Sequence, residues 1–192
     1  MEKDQVEITS RSEWRDWLEK NHTRSDGIWL ITYKKQHADL YVPIEEVIEE
    51  SICFGWIDSL SRKLDEDRSM LWLAPRRKGS NWSKPNKYRV ERMIAAGLMT
   101  DAGLVKIDLA KQDGSWTALD AVEALVVPDD LRAALAENEP AEKNFAEFPR
   151  SVKRGILEWI ANARRSETRK KRVEETARLA KDNIRANQWR IK

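Results

Sequence analysis

The sequence predicts an α+β protein: a small antiparallel β-sheet of at least three strands packed with helices, followed by a helical C-terminal module. Three observations predict it. Strand-like apolar patterning appears at residues 28–35, 56–64 and 70–74, and the turn at Asp65, Glu66 and Asp67 joins the last two as a hairpin. Apolar residues at helical spacing occupy much of the remaining chain. Beyond Gly114 the strand signals stop, so residues 1–114 read as an α+β domain and 115–192 as the helical module.

Each element has a local reason. Ser10, with Glu13 three residues on, reads as a capping box that opens a helix to about residue 21. Trp14, Trp17 and Leu18 share one face of it. Asp26 and Gly27 turn the chain into the first strand, with Trp29, Ile31 and Tyr33 on one face and Ile28 and Leu30 on the other. Pro43 suits the first position of the next helix. Ile44, Val47, Ile48, Ser51 and Ile52 form its inward stripe, and Glu45, Glu46, Glu49 and Glu50 are expected to face water. Gly55 is placed to stop it in the left-handed conformation.

Pro75 ends the pairing of the returning strand. Ser83 caps a helix with Pro85 in its first turn and Val90, Met93, Ile94 and Leu98 on its apolar side. Thr100 and Asp101 start another, which Gly114 closes. Residues 115–127 read as irregular or as a short turn leading to a helix start at Pro128, Asp129 and Asp130. Short helices are expected at 131–137 and 141–148, and a longer one at 149–163 burying Val152, Ile156, Trp159 and Ile160. Ser166 is expected to cap the last helix, with Val173, Ala177 and Ala180 inward. Its basic first turn opposes the helix dipole, so an acidic group is expected beside it. Residues 184–192 read as frayed, with Trp189 placed to dock.

Composition removes several classes. The 192 residues suffice for a real core, and the single cysteine, Cys53, rules out an internal disulfide. The N-terminus lacks the apolar core of a signal peptide and no run approaches membrane-span length, so a soluble, cytoplasmic protein without a membrane span is expected. The histidines, His22 and His37, give no metal-ligand spacing and no triad pattern; neither a metal nor a cofactor is expected. The net charge of +2 hides blocks of opposite sign. Residues 76–92 hold seven bases and one acid, 101–149 eleven acids and four bases, and 164–172 six bases and one acid. Such blocks suit docking between unlike patches, which leaves a homo-oligomer open, or an anionic ligand held at a basic patch.

Residues 53–58 and 74–86 concentrate the polar, aromatic and cationic groups. The residues expected to bind a ligand are Trp56, Asp58, Arg76, Arg77, Ser80, Trp82, Ser83 and Asn86. Arg76, Arg77 and Lys78 suit a carboxylate or phosphate, with hydrogen bonds from Ser80, Ser83 and Asn86 and the helix start at Ser83 adding its partial charge. Trp56, Trp72 and Trp82 are candidates to wall a pocket, and Trp82, set among polar residues, is expected to be partly exposed. Asp58 reads as a cap, as an ion-pair partner of Arg76, or as a general base. No second carboxylate or histidine at useful spacing accompanies it, which weighs against catalysis. Cys53 reads as a small buried thiol. Two alternatives stand beside the small anionic ligand: a nucleic-acid binder using the basic and aromatic segment 76–92, and an enzyme of unrecognised chemistry built on Asp58 and Arg76.

The run Cys53, Gly55, Trp56, Ile57, Asp58, then Pro75, Arg76, Arg77, Lys78, Ser80, Trp82, Ser83, Lys84, Asn86, resembles the YdeI/OmpD-associated, bacteriocin-protection family. So do Val90, Glu91, Arg92, residues 96–100, and the C-terminal runs 151–160 and 167–172. Ala74 stands where that family usually has threonine, and Pro85 precedes the motif asparagine. The resemblance implies a bacterial protein with a stress or bacteriocin-protection role, and it names neither ligand nor reaction.

Overall fold

The architecture is that of a computed structural model, which describes residues 4–137 and 139–188. The chain divides into two compact units, Met1–Thr117 and Ala118–Lys192. Among the described residues it forms a four-stranded mixed sheet and nine helices, an α+β fold in which the sheet lies wholly in the first unit.

The first unit runs β1 (Gln5–Glu7), α1 (Arg11–Asn21), β2 (Ile28–Tyr33), α2 (Ile44–Cys53), β3 (Trp56–Lys63), β4 (Arg68–Pro75), α3 (Lys84–Ala95) and α4 (Asp101–Asp113). The sheet order is β1-β2-β4-β3, with β2 antiparallel to β4 and β4 antiparallel to β3. The three expected strands are there; β1 adds a fourth, parallel to β2, and makes the sheet mixed. Three residues with one half-buried valine are too short to show a period, so pairing reveals β1 where pattern could not. Trp29 N–H donates to Asp4 O at 2.9 Å and Ile8 N–H to Ile31 O at 3.2 Å, fastening both its ends. Between Asp58 and Ser61 the β3–β4 register slips, and this bulge leaves Leu60 exposed.

One sheet face, with Ile28 and Leu30 opposite Leu73 and Leu71, packs on Trp14 and Leu18 of α1 and on Val47 and Cys53 of α2. The Ser10 cap forms as expected, its hydroxyl accepting from Glu13 N–H, while the Glu13 carboxylate reaches back to Thr9 N–H at 2.7 Å.

The acidic face of α2 departs from expectation. Glu49 and Glu50 are not in water but each only 2 % exposed, whereas Ile44, expected inward, is half exposed. The reason lies on the neighbouring helices. Arg11 Nε and Arg15 Nη1 each reach Glu50 at 2.7 Å, Arg11 also lies 3.2 Å from Glu49, and Arg92 Nη2 of α3 lies 2.9 Å from Glu49. Glu45 takes a two-pronged contact from Arg89 at 2.9 and 2.6 Å, and that arginine holds its carboxyl below the usual range. Buried carboxylates persist only when paired with cations; Glu49 Oε1, although 2.9 Å from Arg92, makes no well-aligned hydrogen bond. Pro43 sits one position earlier than expected, as the N-cap of α2, and Ile94 of α3 is exposed instead of inward.

The second unit holds α5 (Asp120–Glu123), α6 (Asp129–Ala136), α7 (Glu139–Glu147), α8 (Arg150–Ala161) and α9 (Ser166–Lys181) around Leu131, Leu135, Phe145, Ile156, Leu157 and Ile160. Leu157 is buried where Trp159, half-covered beneath the Arg172 guanidinium, was expected. Ser166 is the first residue of α9 and not its cap; Arg165 stands there without a side-chain bond. The acidic partner expected near that basic turn is Asp130, which Arg169 meets at 2.7 and 2.9 Å. The docking expected of Trp189 lies outside the described residues. No helix among the described residues is long and apolar enough to cross a membrane.

The double change Arg11→Met, Arg15→Met strips Glu50 of both donors and leaves its charge buried. We expect a loss of about 3–5 kcal/mol, the range for breaking a buried ion pair from one side. Urea unfolding followed by tryptophan fluorescence measures it, because seven of the nine tryptophans lie in the first unit. A loss below 1 kcal/mol would show that Arg92 and solvent suffice for this pair of carboxylates.

Candidate functional site

The two motif stretches meet because α2 ends abruptly. Gly55 has φ +75°, the left-handed conformation that turns the chain from helix into β3. Pairing then sets Trp56 opposite Pro75 and Asp58 opposite Leu73, and Arg76 N–H donates to Gly55 O at 2.9 Å. α4 closes the third side. A Cβ on its Gly103 would stand 2.4 Å from Cys53 O, so only glycine lets the helix lie this close to the α2 terminus. Thr100 Oγ1 donates to the same carbonyl at 2.6 Å.

At this junction Arg76 is 3 % exposed. Its guanidinium lies 3.6 Å above the Trp82 ring, a stacked cation–π contact. Trp82 was expected to be partly exposed; it is instead 1 % exposed, packed with Ile52, Val90, Ile107 and Ala110 and set 5.1 Å from the Trp116 ring. Polar neighbours in sequence misled because α2, α3 and α4 close over the indole. Nη1 of Arg76 donates to Asn81 O at 3.1 Å and, more loosely, to Ser80 O and Ser80 Oγ at 3.4 Å each. Nε and Nη2 are also buried and have no hydrogen-bond partner. Those two nitrogens form one edge of the planar fork, the edge that takes a carboxylate or phosphate with two parallel bonds.

Burial pushes this guanidinium down to about 10, and the Asp58 carboxylate opposes the shift. Asp58 is therefore near enough to be felt, yet among the described residues no carboxylate stands within ion-pair distance of Arg76. Arg76 remains charged at neutral pH, and the fold bears the desolvation cost of that charge at every pH below about 10.

A cavity of about 90 Å³ adjoins the stack. Arg76, Trp82 and Ser115 line it together with Arg77, Lys78 and Lys106, and α4 adds Leu109 and Asp113. Ser115 Oγ is a third buried polar atom at this junction without a hydrogen-bond partner. The Ser115 hydroxyl stands near the Asp113 carboxylate without the geometry of a bond. Its proximity, with the N–H groups of Ser115 and Gly79 at 2.9 and 3.0 Å, holds Asp113 below the usual range.

Of the residues expected at the site, Arg76, Arg77, Ser80 and Trp82 surround this cavity. Ser83 instead caps α3, accepting from Asn86 N–H, and the Asn86 side chain accepts from Arg89 at 2.8 Å. Trp56 is fully buried in the sheet core, edge-on to Trp17, with its indole N–H on His22 O. Lys106, Leu109, Asp113 and Ser115 were not anticipated. The signal that pointed to them is Gly103, since a glycine inside a helix marks a close approach. Burial and the nearby Glu50 push the Cys53 thiol up to about 12, so it is no thiolate nucleophile. No group of metal-ligating side chains occurs among the described residues.

Residues 124–183 match the family described as Bacteriocin-protection, YdeI or OmpD-Associated, the family the sequence resembles. The two motif stretches fall in a separate match, residues 6–106, to a family described as Domain of unknown function. No curated protein and no solved structure matches the chain. The 6–106 match spans more than half of the residues, and with it the chain belongs to the family Domain of unknown function (DUF8412).

Proposed function

We propose that this chain binds a small anion, through a carboxylate or phosphate-like group, at Arg76. The observation that carries the reading is the unpaired edge of a buried guanidinium whose other edge is fixed. Trp82 sets the plane, the Asn81 and Ser80 carbonyls set the rotation, and Nε and Nη2 are left with two parallel donors. An unpaired buried donor costs about 1–3 kcal/mol, more when charged, so a fold keeps one where something else uses it.

The cavity is small, about 90 Å³, which suits one oxyanion group held at the fork. Arg77, Lys78 and Lys106 at the rim draw anions toward it, and the Ser115 hydroxyl offers a further donor. The fork atoms are shielded from solvent in this conformation, so entry requires a local opening. Gly79 N–H of the neighbouring 77–80 turn donates to Asp113 of α4 at 3.0 Å.

The nucleic-acid alternative loses support from the same geometry. Arg76 is buried, Arg89 is committed to Glu45, and Arg92 lies against Glu45 and Glu49, so the basic residues of 76–92 do not form one exposed strip. Bacteriocin protection, the role in the description of the family matched by 124–183, is the cellular setting we attach to this reading, in the cytoplasm.

Two measurements test it. Arg76→Met keeps the length of the side chain and removes the buried charge. Its unfolding midpoint in urea at pH 7 should lie at or above that of the wild type, because an unpaired buried charge is costlier than an apolar chain of similar volume. A loss above about 1 kcal/mol would mean that the Trp82 and carbonyl contacts outweigh the burial cost, making Arg76 scaffolding. Second, a thermal-shift series with phosphate, sulfate, formate and acetate should stabilise the wild type, by about 2.7 kcal/mol at a hundredfold excess over Kd. Arg76→Lys should lose that shift, since an ammonium keeps the charge but not the two parallel donors. Equal shifts in wild type and both variants would place the anion elsewhere.

A further inference from the structure

The small cavity at Arg76 does not stand alone. Lys106 lines it and also lines a groove of about 540 Å³ beside the preceding turn of α4. The groove is lined by Phe54, Pro75, Ala102 and Val105, with Arg24 and Asp101 also on its wall. Its lining is mostly carbon, while the small cavity is where the cations gather. On α4 the connection is one helical turn: Leu109 lines the cavity, Val105 lines the groove, and residues four apart share a face. Both side chains are exposed, Val105 54 % and Leu109 40 %, although neither is needed for the core, which α4 meets through Gly103, Ile107 and Ala110.

We infer that the ligand is an organic carboxylate with an aliphatic tail, its head on the Arg76 fork and its tail along Leu109 and Val105 into the groove over Pro75. This inference rests on the anion-binding reading and adds the ligand class. Two features separate such a molecule from inorganic phosphate. The Asp113 carboxylate at the cavity wall opposes a doubly charged head more than a singly charged one. The exposed apolar side chains of Leu109 and Val105 lie one turn apart along α4, so a tail gains by covering them, while a free oxyanion gains nothing there.

The charge pattern agrees. Lys106, at the junction, stands where the head leaves the cavity, and its stem can lie along an aliphatic chain while its ammonium stays with the carboxylate. The groove, at about 540 Å³, is several times larger than the cavity.

The test is a titration series on the full chain by calorimetry, with acetate, butyrate, hexanoate and octanoate, and inorganic phosphate alongside. Affinity should rise roughly fourfold per methylene until the groove is filled, the increment for burying one such group. Val105→Ser, an exposed change outside the cavity, should leave acetate affinity unchanged and flatten the rise toward octanoate. Acetate binding with no gain from chain length overturns the tail and leaves the anion site standing. Phosphate binding well above every carboxylate, without a chain-length trend, also overturns it. Binding of none of the five ions would remove the anion reading itself, and this inference with it. A chain-length trend of the same slope in Arg76→Met would overturn the assignment of the head to Arg76.

Discussion

The first unit is arranged around α2, and α2 is held by two carboxylates that have been taken out of water. Glu49 and Glu50 sit side by side on the helix and share Arg11 of α1; Glu50 also meets Arg15 of α1, and Glu49 also meets Arg92 of α3. Ion pairs at an open surface contribute little. Here both acids are almost fully enclosed, and each lost partner would strand a charge. The arrangement therefore acts less as an energy source than as a selector of geometry. It admits one spacing of α1, α2 and α3, and the α2 terminus, with Gly55 and the Arg76 contact, follows from that spacing.

The same electrostatic logic is inverted at Arg76. There the chain encloses a cation and supplies carbonyls and an aromatic face but no carboxylate in contact. One protein thus treats buried charge in two ways about one helix apart. Around Glu49 and Glu50 each carboxylate has arginines from neighbouring helices in ion-pair contact, although Glu49 Oε1 lacks a hydrogen bond. At Arg76 the answer is left incomplete along one defined edge, beside a cavity with a basic rim. Stability and site are separated by which charges are satisfied.

Much of the architecture was legible because it rests on local rules. The Ser10 and Ser83 caps, the left-handed Gly55 and Gly114, and the 65–67 turn all follow from neighbours a few residues apart. What escaped was non-local. Glu49 and Glu50 read as solvent-facing because helical periodicity sorts residues by polarity and is blind to arginines thirty-five or more positions away. Trp82 read as exposed for a related reason: its chain neighbours are polar, but its spatial neighbours are Ile52, Val90 and Ala110. Half of the residues around the proposed site were legible. Arg76, Arg77, Ser80 and Trp82 are contiguous enough to be seen as a cluster, whereas Lys106 and Ser115 arrive by the packing of α4. Trp56 and Ser83 belonged to the same motifs for structural reasons, one filling the core and the other starting a helix.

The bulge in β3 has a consequence for how the molecule meets copies of itself. A sheet offers unpaired backbone groups at its two outer strands, and a flat, long outer strand invites another chain to extend it. In this sheet one border is β1, only three residues long. The other is β3, whose ladder slips between Asp58 and Ser61 and which carries Arg62 and Lys63 beyond the slip. Neither border presents a long, regular, uncharged row of donors and acceptors. The sheet is thereby protected against strand-to-strand aggregation at both sides, while its longest fully paired strand, β4, is enclosed between neighbours.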